Sequence, residues 1–356
     1  MSQREMTSME RVMSALAFKE PDRLPFFLSL TMHGARELGL DIKTYFSKAE
    51  NVIEGQLRMR ARYGHDCLFP FFYAALEVEA WGGDVLYSAN GPPNSGQPVI
   101  GSPDAISALE PPDVADSPSL CRMLDAIGGL KERAGDEVPI IGVVMSPFSV
   151  PVMQMGFEAY LLLMHEQPAL FWQLMRKNEH FCIQWANAQL AAGATAICYF
   201  DPVASPTIIP RERYLQTGFA VACRTIPAIN GPTATHLASG RSLPIIDDLC
   251  RTGTQMLGVS VAEDLAAVKA AGKGQMAVLG NLNGVAMRRW TADEAAARVR
   301  EAIFAAGPGG GFILADNHGE IPFQVPEAVL SSISEAVHAW GRYPIQGPGQ
   351  SGEAGA

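Results

Sequence analysis

The stretch Ala196-Ile-Cys-Tyr-Phe-Asp-Pro-Val-Ala-Ser205 decides the fold of this 356-residue chain. It opens with a continuous apolar run, which is typical of a strand buried on both faces of a parallel sheet. A helix-like stretch, Pro168–Ala192, precedes the run, and an aspartate and a proline follow it directly. Helix, strand and polar turn in this order predict one unit of a parallel α/β sheet.

Seven further apolar runs have the same pattern, with helix-like stretches between them such as Thr291–Ala306, which opens on a capping box. Eight units predict a single (β/α)8 TIM barrel within residues 1–345, with an N-terminal helical extension. A doubly wound open sheet is the alternative, but no Gly-x-Gly-x-x-Gly motif follows the first run. The eight runs are Leu24–Leu28, Cys67–Phe72, Ile140–Val144, Ala196–Phe200, Ala234–Leu237, Met256–Val259, Met276–Leu279 and Phe312–Ala315.

The two ends of the chain differ from this alternating middle. Residues 1–21 have the spacing of an amphipathic helix that ends before Pro21, because the residue before a proline avoids the helical region. Residues 346–356 are rich in glycine and polar residues, and this composition predicts a disordered tail.

Composition excludes several classes of protein. The net charge is −10 and no Lys/Arg-rich run is present, which argues against nucleic acid and anionic membranes as partners. The first helix carries charges among its apolar positions, so it is not a secretory signal. The six cysteines form no Cys-x-x-Cys pair and predict reduced thiols in a cytoplasmic protein.

Polar residues follow every apolar run, where a barrel of this kind carries its catalytic groups. Loops are polar in any protein, but the recurrence after all eight runs favours a site at this face. The residues are Ser29, His33, Glu77, Glu79, Ser146, Asp201, Ser205, His236, Ser260, Glu263, Asn281, Asn283, Asp316, Asn317 and His318.

His236, His318 and Asp201 are the predicted chemical centre of this site. The two histidines end or follow apolar runs, and histidine is both the commonest metal ligand and the side chain that titrates nearest neutrality. With Asp201 they resemble the two-histidine, one-carboxylate set of catalytic zinc. The alternatives are a hydrogen-bonded core histidine for His236 and a base or a helix N-cap for Asp201.

Other polar residues are predicted to contact substrate or cofactor. The alternative for the Glu77/Glu79 pair is a surface helix face, and a turn is the better interpretation of Gly307–Phe312, because this glycine-rich segment precedes its strand. The predicted contact residues are His33, Tyr73, Glu79, Ser146, Ser205, Asn281 and Asn317.

Several motifs along the chain carry a family resemblance. They are Arg11-Val-Met-Ser-Ala-Leu-Ala-Phe-Lys-Glu-Pro-Asp-Arg-Leu-Pro25, Tyr63-Gly-His-Asp66, Glu77-Val-Glu-Ala-Trp-Gly82, Ser146-Pro-Phe148, Ala191-Ala-Gly-Ala194, Asp201-Pro-Val-Ala-Ser205, the His236 segment Pro232-Thr-Ala-Thr-His-Leu-Ala-Ser-Gly240, Leu279-Gly-Asn281 and Gly310-Gly-Phe-Ile-Leu314. Together they resemble the uroporphyrinogen decarboxylase superfamily, in particular its corrinoid-dependent methyltransferase branch. The resemblance covers residues 8–342 and implies a TIM barrel.

The chain departs from this family at two places. The decarboxylases hold substrate carboxylates with N-terminal arginines, whereas residues 26–34 contain none, so porphyrinogen decarboxylation lacks its clamp. The methyltransferases hold zinc with a His-x-Cys pair and a distal cysteine. His236 matches the histidine, Ala238 replaces the first cysteine, and the distal position falls at His318 or Asn317.

The resemblance implies a methyltransferase that moves a methyl group between a small molecule and a corrinoid, or methylcobalamin, on a separate partner protein. If zinc is retained, its ligands are His236, His318 and one of Asp201, Asp316 or Glu79; if zinc is lost, His318 serves as an acid or base. The alternatives are a decarboxylase- or lyase-type enzyme that uses Asp201 and the histidines, and a non-catalytic tetrapyrrole- or corrinoid-binding protein.

Overall fold

The computed structural model describes residues 4–272 and 274–345, and most of their strands form one parallel sheet. The strands are β1 (Val85–Leu86), β2 (Asn94–Ser95), β3 (Ile141–Met145), β4 (Ala196–Phe200), β5 (Thr233–His236), β6 (Met256–Gly258), β7 (Ala277–Leu282) and β8 (Phe312–Asp316). Strands β3 to β8 pair in chain order, while β1 and β2 form a separate antiparallel pair. Because the order never reverses, the sheet lacks the switch point of a doubly wound fold.

The parallel strands are buried or half-buried along their length. Every residue of β5 and β8 is buried. The register places Phe200 beside His236 and His236 beside Gly258, so three neighbouring strands reach the same carboxyl edge. The predicted α/β fold with a parallel sheet is confirmed.

Helices occupy most of the chain between the strands, and side-chain caps at Thr7, Asp41 and Thr291 start three of them. The described helices are α1 (Ser8–Leu16), α2 (His33–Leu38), α3 (Ile42–Phe46), α4 (Ala49–Tyr63), α5 (Leu76–Ala80), α6 (Pro118–Ala134), α7 (Pro151–Met155), α8 (Phe157–Glu166), α9 (Pro168–Ala192), α10 (Arg211–Gln216), α11 (Gly218–Thr225), α12 (Ile246–Cys250), α13 (Leu265–Gly272), α14 (Ala292–Ala306) and α15 (Glu327–Trp340).

Two predicted helices are confirmed to within one residue. Helix α9 has the predicted bounds, with proline at its start, where the missing amide hydrogen costs nothing. Helix α14 begins after Thr291, whose side chain accepts from the Glu294 amide while the Glu294 carboxylate accepts from the Thr291 amide. This reciprocal pair satisfies two of the free amides at the helix start.

The first two apolar runs do not form the regular strands that were predicted. Each makes one parallel bridge, Phe26 with Leu314 and Leu68 with Ile140. Pro25 and Pro70 lie in these runs, and proline cannot donate to a strand ladder. Backbone hydrogen bonds still connect the runs to the sheet: Phe27 N to Leu314 O at 2.8 Å, Asp66 N to Phe26 O at 2.8 Å, and Ile141 N to Leu68 O at 2.9 Å.

The N-terminal segment is held by a buried ion network at the amino ends of the strands. Helix α1 is shorter than the predicted helix and is capped by Thr7. The fully buried Asp66 carboxylate accepts from Arg11 at 2.7 Å, from Arg23 at 2.6 Å and from the Ser8 hydroxyl at 2.9 Å. The buried charge is therefore paired, and α1 is attached to the first two runs.

Three further observations concern the C-terminal tail, the hydropathy of the helices and the cysteines. The predicted disordered tail, residues 346–356, lies outside the described residues. No helix within the described ranges has the length and apolarity needed to cross a membrane. All six cysteines lie in the described part of the chain and are free thiols.

Candidate active site

His236 ends β5 and lies buried at the carboxyl edge of the sheet. Its ring stacks on Phe200 with centroids 5.5 Å apart, and its Nδ1 accepts from the Ala238 amide at 3.0 Å. Because Nδ1 accepts this hydrogen bond, the proton of the neutral ring is on Nε2. His236 therefore offers an N–H donor from a fixed ring.

Asp316 ends β8 and is also buried, but its carboxylate is only half satisfied. Oδ2 accepts from the His318 amide at 2.8 Å and from the Gly319 amide at 2.9 Å. Oδ1 has no hydrogen-bond partner in the described part of the chain. A buried carboxylate oxygen without a donor is available to a substrate proton.

Electrostatics link these two residues to His318. Burial lowers the pKa of His236, the Asp316 charge opposes that shift, and His318 adds to it. The Nδ1 of His318 lies 2.6 Å from the Ser239 hydroxyl. His236, Asp316 and His318 thus form one interacting cluster at the carboxyl ends of β5 and β8.

A small cavity opens beneath this cluster in the interior of the sheet. It has a volume of about 50 Å³, and its walls are mostly apolar. His236 and Asp316 line it together with the thiols of Cys67 and Cys198, and Phe27 and Met256 are among the apolar residues. An apolar space beside fixed polar groups strengthens their electrostatic effect on a bound atom.

Asp201, the third residue of the predicted centre, is held by a different set of groups. Its Oδ1 accepts from the hydroxyls of Ser146 and Ser149, each at 2.6 Å. Burial raises the pKa of Asp201 to about 6, and both serines oppose that shift. Ser146, predicted as a substrate contact, instead donates to Asp201.

Most of the other predicted contact residues bond to the protein itself. Ser205 donates to the Arg241 carbonyl at 2.9 Å, and Asn281 donates to the Ser260 carbonyl at 3.1 Å from within β7. The Tyr73 hydroxyl donates to Glu79 at 2.7 Å, and neither residue lines the cavity with His236.

Two predicted residues, His33 and Asn317, are buried with no hydrogen-bond partner for their side chains within the described ranges. His33 packs edge-on against Phe323, with ring centroids 5.7 Å apart. Burial lowers the pKa of His33 to about 3, so its ring is neutral at physiological pH. Asn317 lies directly between Asp316 and His318 and lines an open cleft with His318.

Sequence reasoning did not single out Glu320, Thr31 or Ser239. Glu320 accepts from the Thr31 hydroxyl, and burial of its carboxyl raises the pKa of Glu320 to about 7. The signal in the sequence is that Glu320 lies two residues after His318, in the same loop. Ser239 lies three residues after His236, and the fold brings its hydroxyl to His318.

The residues present do not fit the zinc ion that the resemblance implies. Within residues 4–272 and 274–345, no group of three histidine, cysteine, aspartate or glutamate side chains is placed to hold a metal. His236 would have to bind through Nε2, the atom that carries its proton, because Nδ1 faces an amide donor. The predicted set of His236, His318 and Asp201 is therefore not assembled.

A parallel sheet with a buried histidine and carboxylate at its carboxyl edge defines an α/β enzyme. The sequence matches the model of the family described as uroporphyrinogen decarboxylase (URO-D) over residues 7–340. The chain belongs to this family, and the predicted superfamily is confirmed.

Relatives with two activities match this chain. Methylcobamide:CoM methyltransferase MtaA of Methanosarcina barkeri is 27% identical over 269 residues, which cover 73% of this chain and 77% of the relative. A uroporphyrinogen decarboxylase of Mycobacterium ulcerans is 27% identical over 360 residues, which cover 95% and 100%. Both are enzymes, and the first belongs to the predicted branch.

A solved structure shares the fold. The methyltransferase from Methanosarcina mazei superposes with a TM-score of 0.85 at 21% identity and covers 94% of this chain and 99% of its own. At this identity the similarity shows the architecture alone.

Proposed function

We propose that this protein is a corrinoid-dependent methyltransferase that moves a methyl group between a small molecule and a corrinoid carried by a separate partner protein. His236 carries the proposal, since it matches the histidine of the methyltransferase branch and lines one cavity with Asp316, whose Oδ1 has no hydrogen-bond partner in the described part of the chain. The MtaA relative, at 27% identity, supports the same reaction class.

We also propose that the chain closes into a (β/α)8 barrel. The runs around Phe26 and Leu68 bridge to the two edge strands, β8 and β3, and Asp66 N donates to Phe26 O between them. Closure would collect the loops after all eight segments around one mouth, as in other barrel enzymes. The free cysteines favour the cytoplasm as the place of reaction.

Around this mouth, four large apolar side chains are exposed on successive loops. They follow β4, β5, β6 and β7 in turn: Ile208, Leu243, Val261 and Val285. Exposed apolar side chains gathered at one rim are typical of a surface that binds a partner or a large ligand. This rim supports docking of a corrinoid protein over the site.

The chemistry of the site follows from the two buried side chains. The corrinoid would supply or accept the methyl group. At the oxygen or other heteroatom that loses the methyl group, negative charge develops, and the Nε2–H of His236 is placed to stabilise it. When the heteroatom gains the methyl group, its bond to hydrogen breaks as its bond to the methyl carbon forms, and Asp316 Oδ1 would accept the proton. In the reverse direction the same carboxyl would return that proton to the heteroatom as the methyl group leaves.

The absence of an arginine clamp argues against porphyrinogen decarboxylation. Phe26, Phe27, Leu28 and His33 all lie buried in the stretch where the decarboxylases place arginines. A decarboxylase- or lyase-type reaction on another substrate is the second candidate, because the decarboxylase relative aligns over 95% of the chain. It would use the same His236–Asp316 pair as donor and acceptor.

The test follows the absorbance of free cobalamin with the purified full chain. We expect methylcobalamin to lose its methyl group to at least one acceptor among phenols, alcohols, amines and thiols, or cob(I)alamin to gain one from a methoxylated donor. His236→Ala should abolish the change, whereas Arg176→Gln, an exposed residue of α9, should not.

Two outcomes would overturn the proposal. Release of CO2 from a carboxylated substrate, with no spectral change in either direction, would establish the second candidate. Cobalamin binding without turnover across the whole panel would identify a non-catalytic corrinoid-binding protein.

A further inference from the structure

A second concave region lies beside the His236 cluster, between the loops that follow β7 and β8. It is a cleft of about 740 Å³, and its lining includes Asn283, Arg288, Arg289, Trp290, Asn317 and His318. Because both loops follow the carboxyl ends of parallel strands, the cleft opens on the same face as the catalytic cluster. His318 lines this cleft and also acts electrostatically on His236.

Two adjacent guanidinium groups give the cleft its charge. Arg288 and Arg289 are exposed, and neither forms an ion pair within the described part of the chain. Arg288 donates through Nε to the Val285 carbonyl at 3.1 Å, which leaves its terminal nitrogens free. The sequence as a whole carries a net charge of −10. Two adjacent arginines without ion pairs therefore make the charge of this cleft opposite in sign to that of the whole chain.

A single carboxylate opposes this positive charge in the cleft. Glu294 lines the cleft, but its Oε2 accepts from the Thr291 amide at 2.7 Å as part of the capping box of α14. Its carboxylate is therefore engaged at the helix start, and the two arginines outweigh it.

The lining of the cleft includes a buried side-chain amide without hydrogen-bond partners in the described part of the chain. Asn317 is fully buried, and neither its side-chain nitrogen nor its side-chain oxygen has a partner within residues 4–272 and 274–345. Buried amides in folded proteins are almost always hydrogen-bonded, so an unpaired amide at the base of a cleft indicates a position that a ligand completes. Its Nδ2 is a donor suited to an anion.

We propose that this cleft binds a carboxylate or phosphate group of the small molecule whose methyl group is transferred. Arginine forms paired, charge-assisted hydrogen bonds with these planar or tetrahedral anions. Trp290, Val261 and Val285 line the same cleft and provide an apolar surface for the body of the molecule. This inference rests on the proposed function and adds the class of substrate, an anionic small molecule anchored beside the transfer site.

The binding test uses benzoate and its neutral analogue benzamide with the full chain and no corrinoid. Saturation-transfer NMR should show benzoate bound, inorganic phosphate competing with it, and benzamide unbound. Arg288→Gln/Arg289→Gln should weaken benzoate binding about tenfold or more. Higher ionic strength should also weaken binding, because exposed charges are screened.

A matched control removes two arginines elsewhere. Arg58→Gln/Arg176→Gln changes the net charge equally on α4 and α9, where both side chains are exposed, and should leave benzoate binding unchanged. Equal binding of benzoate and benzamide, or equal losses in the two double variants, would overturn the inference. Circular dichroism on both variants establishes that they are folded.

A third comparison distinguishes the source of the anion, because cobalamin has a phosphodiester that cobinamide lacks. If the Arg288/Arg289 variant lost affinity for cobalamin but kept its affinity for cobinamide, the cleft would bind the corrinoid phosphate, and the assignment to the small molecule would be wrong. Unchanged cobalamin binding with weakened benzoate binding supports the assignment.

The outcomes also separate this inference from the proposed function. Anion binding without methyl transfer would overturn the function and leave the anion site standing. Methyl transfer that is equally efficient with neutral substrates, in wild type and variant alike, would overturn the anion site and leave the function standing.

Discussion

Asp201 and Asp316 occupy equivalent places in the fold, yet their surroundings differ. Each is buried at the carboxyl end of a parallel strand, Asp201 directly after β4 and Asp316 as the last residue of β8. Ser146 and Ser149 both donate to Oδ1 of Asp201, and their hydroxyls also accept from the Ser149 and Val203 amides respectively. Oδ1 of Asp316 has no hydrogen-bond partner in the described part of the chain, and the Asp316 charge acts on the pKa of His236.

This difference shows that position and residue type do not by themselves identify a catalytic carboxylate. The two carboxylates differ in the kind of donors that reach them and in whether a histidine interacts with them. Two backbone amides orient Asp316 from one side and leave the other side for substrate. Two hydroxyls from the loop after β3 use Asp201 to fix that loop against the end of β4. We therefore propose a positioning role for Asp201 and a catalytic role for Asp316.

The same substitution at both sites should separate these roles, and the largest effect is expected at Asp316. Asp316→Asn keeps an acceptor for the two amides but loses the proton-accepting oxygen, so methyl transfer should fall about a thousandfold in kcat. Its free energy of unfolding should stay within about 1 kcal/mol of wild type. Single-turnover absorbance measures the rate of methyl transfer, and urea unfolding measures the free energy of unfolding. Full activity in Asp316→Asn would contradict a difference in role between Asp316 and Asp201.

A smaller effect, on stability, is expected at Asp201. Asp201→Ala leaves two buried hydroxyls without their acceptor and should lower the free energy of unfolding by about 2 kcal/mol. Asp201→Asn keeps an acceptor and should recover most of that loss. In both variants the folded protein should retain kcat within about tenfold. A thousandfold loss of kcat in Asp201→Asn would instead make Asp201 a catalytic residue.

Glu77 tests whether a free carboxylate oxygen is sufficient for a catalytic role. Its Oε1 accepts from the Met145 amide at 2.9 Å, and Oε2 has no partner in hydrogen-bond geometry, although the Trp185 indole lies nearby and favours the anion. Burial raises the pKa of Glu77 to about 8. No histidine acts on this carboxyl, so we expect it to affect stability and not the reaction.

The sign of this effect follows from proton binding. Between the unfolded pKa of 4.5 and the folded pKa of about 8, the folded state binds the extra proton, so wild-type stability falls as pH rises. Glu77→Gln removes the titrating group. The free energy of unfolding of the variant, relative to that of wild type, should therefore rise by up to about 1.4 kcal/mol per pH unit in this window. Urea unfolding from pH 4 to pH 8 measures the slope. A difference in the free energy of unfolding that does not change with pH, or a large loss of kcat in Glu77→Gln, would contradict a role for Glu77 in stability alone.

Much of the fold follows from local sequence. The bounds of α9 and β4 and the start of α14 are set by continuous apolar runs, a proline and a capping box, all readable within a few residues. The apolar pattern predicts strands at the first two runs, because this pattern does not take into account that proline lacks an amide hydrogen. Pro25 and Pro70 limit each run to one bridge.

The site was less accessible to sequence reasoning. The sequence placed His236, His318 and Asp201 at strand ends, but hydrogen-bond direction decides what each does, and direction arises only in the fold. The Ala238 amide fixes the proton of His236 on Nε2, and two serines donate to Oδ1 of Asp201. Glu320 escaped notice because its partner, Thr31, lies 289 residues away in sequence.

The Asp66 network has a consequence for how such proteins diverge. Arg11, Arg23 and Asp66 belong to the motifs that resemble the family, and all three meet at the amino ends of the strands, on the side opposite the mouth. Part of the family signature thus lies at the end of the sheet opposite the mouth, where it attaches the N-terminal helix to the strands. These contacts can persist while the mouth changes, as at Ala238, the position where the resemblance implies a cysteine.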